Sequence, residues 1–348
     1  MNHKNTKTSV TAKDVALLAG VSQSTVSRVL SSTADNGYIS HKTAEKVRAA
    51  AAQLNYSPNP IARALRGERT NLLGLLVREI ADPFFAEFIS VLSSQAKANN
   101  YSVVLSAVHS DPTEALSITR VFDERQVDGV ILLGDLRNDL TFLQQLLKNN
   151  RPVVALCRGR INAPIPTINC DNEAGIDMLL DHLYSLGHRR FAFLDGGWLG
   201  DIRERRDAFM NYFPKRNLKL ATSLIQAESN SFQGGFDAMH SLLSLSPHPT
   251  AVLVSDDQMA MGAMRSALEA GLRIPQDVTI TGFDGIEMAM YTYPALTTVR
   301  QPIEEMGRRT IQTVLNQIDG KQIPADEMFV EIKPELILRE STGPAPQN

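Results

Sequence analysis

The stretch that most constrains this chain runs Thr11-Ala-Lys-Asp-Val-Ala-Leu-Leu-Ala-Gly-Val-Ser-Gln-Ser-Thr-Val-Ser-Arg-Val-Leu-Ser31. It reads as two short helices joined by a tight turn. Thr11 and Asp14 have capping-box spacing, a helix start signal. Gly20 accepts the left-handed backbone that ends the first helix. Ser22 then caps a second helix with two distinct faces. Gln23, Ser24, Ser27 and Arg28 fall on one side, and Val26, Val29 and Leu30 on the other. Short donors and acceptors plus one arginine on an exposed helix suit a DNA major groove. The plainer reading is a helical hairpin whose polar face meets only water.

The next segments favour DNA. Ser40 caps a third helix whose apolar stripe is Ala44, Val47, Ala51 and Leu54, spaced to close a small core with Val15, Ala19, Val26 and Val29. Then comes Tyr56-Ser-Pro-Asn-Pro-Ile-Ala-Arg-Ala-Leu-Arg-Gly67. Asn59 is an N-cap and Pro60 suits the first helical position. A helix this short is marginal in water. Arg63, Arg66 and Arg69 suggest that it orders on DNA, where phosphates offset the charge.

Asp14-Val-Ala, Ala19-Gly-Val-Ser22, Thr25-Val-Ser-Arg28, Leu54-Asn-Tyr56 and Pro58-Asn-Pro-Ile-Ala-Arg-Ala-Leu65 together resemble the LacI/GalR family of bacterial transcription regulators. The resemblance runs along nearly the whole chain. It implies that the second helix is a recognition helix, with Thr11, Ser22, Gln23, Ser24, Thr25, Ser27 and Arg28 as the DNA-binding set. It also implies that residues 59–67 form a hinge helix in the minor groove. Asn59, Ala62 and Arg63 contact DNA there, and Leu65 wedges between base pairs, trading unstacking for a kinked duplex. One departure is Ser31, where the family frequently has asparagine.

Residues 1–70 hold ten Lys/Arg against four Asp/Glu, while the remainder holds 25 against 34. A basic head on an acidic body suits one module that meets phosphate and one that does not. No run of 18 apolar residues suggests a membrane span, and the N-terminus lacks the apolar core of a signal peptide. The expected location is therefore cytoplasmic. Cys157 and Cys170 are expected as reduced thiols. With no Cys-x-x-Cys and no His pair four apart, neither metal nor cofactor is expected.

Beyond residue 71 short apolar runs alternate with helical patterns. Strands are expected at Leu72–Val77, Ser102–Ala107, Gly129–Leu133, Val153–Cys157, Phe191–Leu194, Ala251–Ser255 and Val278–Gly282. Helices include Phe84–Ala98, Met178–Leu186 and Gln258–Ala270. This is the rhythm of βαβ units and a largely parallel sheet. The fold class is α/β: an all-α helix-turn-helix head (10–58), a hinge helix and linker (59–70), then an effector-binding and dimerisation body (71–340). The resemblance implies two Rossmann-like lobes of the periplasmic-binding-protein type, with crossovers near residues 170, 299 and 327. Late strands at Phe329–Ile332 and Glu335–Arg339 would both return to the second lobe. The Pro/Gly-containing stretch 341–348 reads as a tail. It carries no heptads, which favours a homodimer over a tetramer.

Ligands of open α/β sheets sit beyond the carboxyl ends of the strands. By resemblance, effector contacts fall to Phe84, Phe85, Arg158, Arg205, Asp256 and Asp284. Phe84 and Phe85 offer ring faces, although Asp82 and Pro83 equally announce a capped helix whose phenylalanines fill core. Arg205 would clamp the effector, and Asp284 would accept hydrogen bonds from it. Asp256 either lines the site or caps the helix beginning near Asp257. Cys157 stands where a family member has an acidic ligand contact, and Trp198 offers a second stacking surface or mere packing. The arginines at 158, 160, 203, 205 and 206 add the expectation of an acidic ligand, opposed by Asp256 and Asp284.

No G-x-S-x-G elbow, phosphate-binding P-loop or G-x-G-x-x-G fingerprint occurs, so no enzyme is expected. The expected function is a sequence-specific regulator, most readily a repressor. It would bind a pseudo-palindromic DNA operator as a homodimer and answer to a carbohydrate-like effector between the lobes. The alternative is a periplasmic-type sugar-binding protein without a DNA role, which the basic head and the absent signal peptide disfavour.

Overall fold

The computed structural model describes residues 10–30, 39–56, 69–107, 112–135, 140–147, 150–157, 164–197, 200–217 and 224–347. The chain divides into two compact units, Met1–Thr70 and Asn71–Asn348.

The first unit is a small helical head: α1 (Ala12–Ala19), α2 (Gln23–Leu30) and α3 (His41–Gln53). Asp14 Oδ2 accepts from both the backbone N (2.8 Å) and the hydroxyl (2.7 Å) of Thr11, closing the start of α1. Gly20, at φ 66°, ends that helix, and the turn lets Val21 N donate to Ala16 O at 3.0 Å. Ser22 Oγ accepts from Thr25 N at 3.1 Å to start α2. Ser40 does the same for Thr43 N at 3.2 Å to start α3. Val15, Val26, Val29, Ala44, Val47 and Ala51 are buried together, with Ala19 and Leu54 packed against them. These are the residues that the helical periodicity selects. Ala16 and Ala50 join them.

The second unit holds two six-stranded sheets. In chain order its elements are β1 (Leu72–Val77), α4 (Pro83–Ala98), β2 (Ser102–Ala107), α5 (Pro112–Arg125), β3 (Gly129–Leu133), α6 (Leu140–Leu147), β4 (Val153–Leu156) and β5 (Thr167–Cys170). Next come α7 (Asn172–Ser185), β6 (Phe191–Asp195), α8 (Gly200–Tyr212), β7 (Ile225–Ala227), α9 (Phe232–Leu243), β8 (Ala251–Val254), α10 (Asp257–Glu269) and β9 (Thr279–Asp284). β10 (Thr297–Arg300), α11 (Ile303–Ile318), β11 (Phe329–Ile332) and β12 (Glu335–Ile337) complete it.

The first sheet has the order β11-β5-β4-β3-β1-β2 and the second β12-β10-β9-β8-β6-β7. All ladders are parallel except β10 with β12. Parallel strands covered on both faces read as continuous apolar runs. β3 is Gly-Val-Ile-Leu-Leu, buried throughout. Its faces still alternate: Ile131 and Leu133 join the main core, while Val130 and Leu132 join a second cluster with Phe122 and Ile118.

Strand order reverses between β1 and β3 in one lobe and between β6 and β8 in the other. Such switch points open a crevice at the carboxyl strand ends. The chain leaves the first sheet after β5 and returns after β10, because α11 packs on β3, β4, β5 and α4.

Three expectations need correction. Phe329–Ile332 does not return to the second lobe: it pairs with β5 of the first, Phe329 opposite Thr167, so the last crossover lies between Ile332 and Glu335. Short β5, β7 and β10 are strands that apolar runs do not announce. The described part of the stretch read as a tail, 341–347, belongs to the second lobe. Ser341 is fully buried, its hydroxyl donating to Ile280 O (2.6 Å) and accepting from Thr297 N (2.8 Å). Ala345 N reaches Leu186 O at 2.9 Å. The chain end forms backbone hydrogen bonds despite its proline and glycine content.

Candidate functional site

On the head, Gln23, Ser24 and Arg28 are exposed while Val26 and Val29 of the same helix are buried. Ser27 and Thr25 are half-buried. Ser22 Oγ also lies 2.7 Å from Ser24 Oγ and 2.8 Å from Thr25 Oγ1, so three hydroxyls cluster at the start of α2. Thr11 is exposed and engaged by Asp14. This presents short polar groups and one guanidinium on a helix fixed from behind by valines. Asn59, Ala62, Arg63 and Leu65 lie outside the described residues, as does Arg158 of the expected effector set.

In the body, the strand ends bring together polar side chains from distant parts of the sequence. Arg205, on α8, is 2 % exposed. Its Nε donates to Asn172 Oδ1 (3.0 Å) and its Nη1 to Ser255 O (2.7 Å). Nη1 also lies 3.1 Å from Asp284 Oδ1, and Nη2 is 3.9 Å from Asp201 Oδ2. The guanidinium covers the Phe283 ring at 3.8 Å. Burial works against its charge, but Asp284 and Asp201 outweigh that and raise its pKa.

Asp284, at the end of β9 with φ 111°, receives Gln301 Nε2 at 2.7 Å. Burial pushes its carboxyl well above the usual range, against the pull of Arg205. Asp256 caps α10: its Oδ1 accepts from Met259 N at 2.8 Å, while its buried Oδ2 has no hydrogen-bond partner. Burial raises this carboxyl to about 6. Of the two sequence readings of Asp256, Oδ1 makes the cap. Asp257 ties the turn after β9 in place. Its Oδ2 accepts from Gly285 N (2.8 Å) and Ile286 N (2.9 Å), and its Oδ1 from Thr298 Oγ1. Burial holds it at about 7.

From the first lobe, Arg78 follows β1 with its guanidinium 4.8 Å over the Phe85 ring, and stands 3.9 Å from Asp82. Asp82 caps α4 by accepting from Phe84 N at 3.0 Å. Phe84 and Phe85 are both buried, ring centroids 5.4 Å apart. Both rings lie in the core, Phe84 packed on Phe88 and Phe85 under Arg78. Asp135 Oδ2 accepts from Gly200 N at 3.0 Å, joining the strand end of β3 to the start of α8 across the crevice.

Arg203 is exposed, and Arg206 pairs with Asp195 and Asp207. Of the five arginines behind the acidic-ligand expectation, Arg158 and Arg160 lie outside the described residues, Arg203 is exposed, and Arg205 and Arg206 are paired with carboxylates. Cys157 and Cys170 are free and buried, and burial raises both thiols. Arg78, Asn172, Asp201, Asn230, Ser255 and Gln301 escaped sequence reasoning. The available signal was position at a strand end or, for Asp201, four residues before Arg205 on one helix face.

Comparison with known proteins gives the architecture a context. Residues 11–59 match the model for bacterial regulatory proteins of the lacI family, and residues 180–342 that for a periplasmic binding protein-like domain. The chain is 34% identical over 347 residues to the HTH-type transcriptional repressor PurR of Pectobacterium carotovorum subsp. carotovorum (strain PC1), covering 97% of this chain and 98% of that one. The lac repressor dimer bound to operator and the anti-inducer ONPF superposes with a TM-score of 0.85 at 30% identity, over 97% of this chain and 100% of that one. A complex of the transcriptional regulator CelR with cellobiose superposes with a TM-score of 0.72 at 28% identity, over 95% and 99% of the two chains.

Proposed function

This chain belongs to the LacI family of bacterial regulatory proteins, and from that premise we propose how it reads DNA and what it senses. It is a DNA-binding transcriptional repressor with an effector-binding body. The observation that carries the DNA reading is the division of α2, with Gln23, Ser24 and Arg28 outside and Val26 and Val29 inside. Arg28 and Gln23 reach base edges, while Thr11, Ser22, Thr25 and Ser27 hold the backbone. Residues 59–67 order on the minor groove, Asn59, Ala62 and Arg63 against the duplex and Leu65 wedged into it. In domain terms the head spans 10–58, the hinge 59–70 and the body begins at 71.

The working unit is a homodimer on a pseudo-palindromic operator in the cytoplasm, without catalytic activity. Met288, Met290, Tyr291, Tyr293 and Leu338 are exposed on the second lobe, an apolar surface that a second copy would cover. No described helix is long and apolar enough to cross a membrane. The effector is a small hydroxyl-bearing molecule of carbohydrate type, held between the lobes by Arg205, Asp284 and Asp256. The cellobiose complex of a structural relative supports that class. Because the lobes are joined by three crossovers, ligand closure changes their relative placement, and coupling between ligand and DNA is reciprocal.

Binding-site selection with the full chain tests this reading. Wild type should return a pseudo-palindromic motif, and Arg28→Ala should lose about 1–3 kcal/mol and relax one position in each half-site. An unchanged motif at unchanged affinity would remove Arg28 from the bases.

A further inference from the structure

The cleft has unmet hydrogen-bonding capacity of one dominant kind. Among the described residues around Arg205, three buried oxygens have no hydrogen-bond partner: Asp201 Oδ1, Asp256 Oδ2 and Asn230 Oδ1. Arg78 Nη1 is a donor in the same condition. Asp201 and Asp256 are 7 % and 5 % exposed. The three belong to one place. Asp201 lies beside Arg205, whose charge also feels Asp256. Asn230 borders the Gly196 and Ser255 strand ends, where a Cβ on Gly196 would meet Asn230 Oδ1 at 2.6 Å and Ser255 Oγ at 2.9 Å.

Unpartnered buried acceptors are costly, and carboxylates more so than neutral groups. Asp82, Asp201, Asp256 and Asp284 face two guanidiniums, Arg78 and Arg205, and the second is already bound to Asp284. A neutral hydroxyl satisfies an acceptor but leaves Asp82, Asp256 and Asp284 held toward their protonated forms by burial and by one another, whereas a cation among them favours the ionised carboxylates. An anion does the opposite. We infer that the effector carries a protonated amine on a hydroxyl-bearing frame, an amino sugar in chemical class, with its ammonium between Asp201 and Asp256 and within reach of Asn230. No group of three His, Cys, Asp or Glu among the described residues is placed for a metal ion. This inference rests on the effector cleft proposed above.

Calorimetric titration of the full chain with glucosamine, galactosamine, N-acetylglucosamine, glucose, cellobiose, cytidine, gluconate and glucose 6-phosphate tests it. At least one amino sugar should bind about tenfold or more tighter than its neutral counterpart. Asp201→Asn and Asp256→Asn should each erase that preference. Asparagine still caps α10, so Asp256→Asn retains its fold, and an unchanged melting temperature checks this. Equal or tighter binding of a neutral or acidic probe overturns the amine while sparing the cleft, provided Arg205→Lys, which keeps the charge beside Asp284, weakens that binding at an unchanged melting temperature. A preference that survives both substitutions overturns the placement. A panel in which nothing binds overturns the amine and the carbohydrate-type cleft together, and leaves operator binding as a separate result.

Discussion

Nη1 of Arg205 and Oδ1 of Asp284 stand 3.1 Å apart in the interior of the second lobe, the middle of α8 and the end of β9 held by one ion pair. Gln301 and Ser255 complete it, the first donating to Asp284 and the second accepting from Arg205. The pair serves position more than net stability, since a buried ion pair roughly offsets its own desolvation. What it fixes is the geometry at the strand ends.

Removing one partner is therefore expected to cost far more than the pair contributes. Arg205→Ala should lower unfolding stability by about 3–5 kcal/mol, because Asp284 is left buried and uncompensated. Arg205→Lys should cost less but still weaken effector binding, since lysine lacks the fork that serves Asn172 and Ser255 together. Adding Asp284→Asn to Arg205→Ala should recover part of the loss. Urea unfolding of the four proteins checks this, and a double variant no more stable than Arg205→Ala would show that charge is not the cause.

The buried acids set a pH dependence of unusual sign. Folding raises Asp256 to about 6 and Asp257 to about 7 from an ordinary value of 3.8, through burial. The native state then binds more protons than the unfolded state between about pH 4 and 7, so these groups favour the native state most in acid and lose that contribution as pH rises through 6 and 7. The melting temperature of the protein should climb as pH falls from 8 to 6. Asp257→Asn should flatten the slope, its amide oxygen still able to accept from Gly285 and Ile286. A slope identical in wild type and variant would clear Asp257 of the effect.

Much of this was legible in the sequence because local signals agreed. Thr11, Gly20, Ser22 and Ser40 sit where helices start or stop, and the valines between them keep the helical period, so the head follows from its own residues. Runs such as Gly129–Leu133 announce buried parallel strands. β7, three residues long, and β5, Thr-Ile-Asn-Cys, carry no such run and form only because a neighbouring strand supplies their partners. The same limit hid the site. Arg205 and Asp284 were nameable from resemblance, whereas Asn172, Asn230 and Ser255 acquire roles only when strand ends 30 or more residues apart converge. Ser341 was misread because proline and glycine nearby resemble a loose tail, and nothing local shows that Thr297 and Ile280 wait for its hydroxyl.

The contact between α9 and α10 depends on missing side chains. A Cβ on Gly262 would fall 1.9 Å from Phe232 O, and one on Gly235 would fall 2.0 Å from Met259 O. Both obstacles are backbone, which cannot swing aside as a side chain can. Gly262→Ala should destabilise the protein at the upper end of, or beyond, the 1–3 kcal/mol or so typical of overpacking, despite alanine's better helix propensity. Gly271→Ala is the control: it faces open space, and strain at φ 80° is its only penalty. A Gly262→Ala protein as stable as wild type by urea unfolding would mean the two helices separate freely.

Ser341 offers the sharpest test of the docked chain end. Its hydroxyl donates to Ile280 O on β9 and accepts from Thr297 N on β10, so a single oxygen bridges two neighbouring strands where their own ladder leaves off. Ser341→Ala keeps the small volume but strips Thr297 of its acceptor in a fully buried setting, an orphaned group worth about 1–3 kcal/mol. Ser341→Thr retains the hydroxyl but adds a methyl where the residue is fully buried, so it should be destabilised for the different reason of crowding. Truncation after Leu338 removes the bridge together with the Ala345–Leu186 bond and should cost more than either substitution. Hydrogen exchange separates the causes: the Thr297 amide should lose protection in Ser341→Ala and in the truncation, and keep it in Ser341→Thr. If that amide stays protected in Ser341→Ala, the serine is a passenger on the lobe and its hydroxyl does not join the strands.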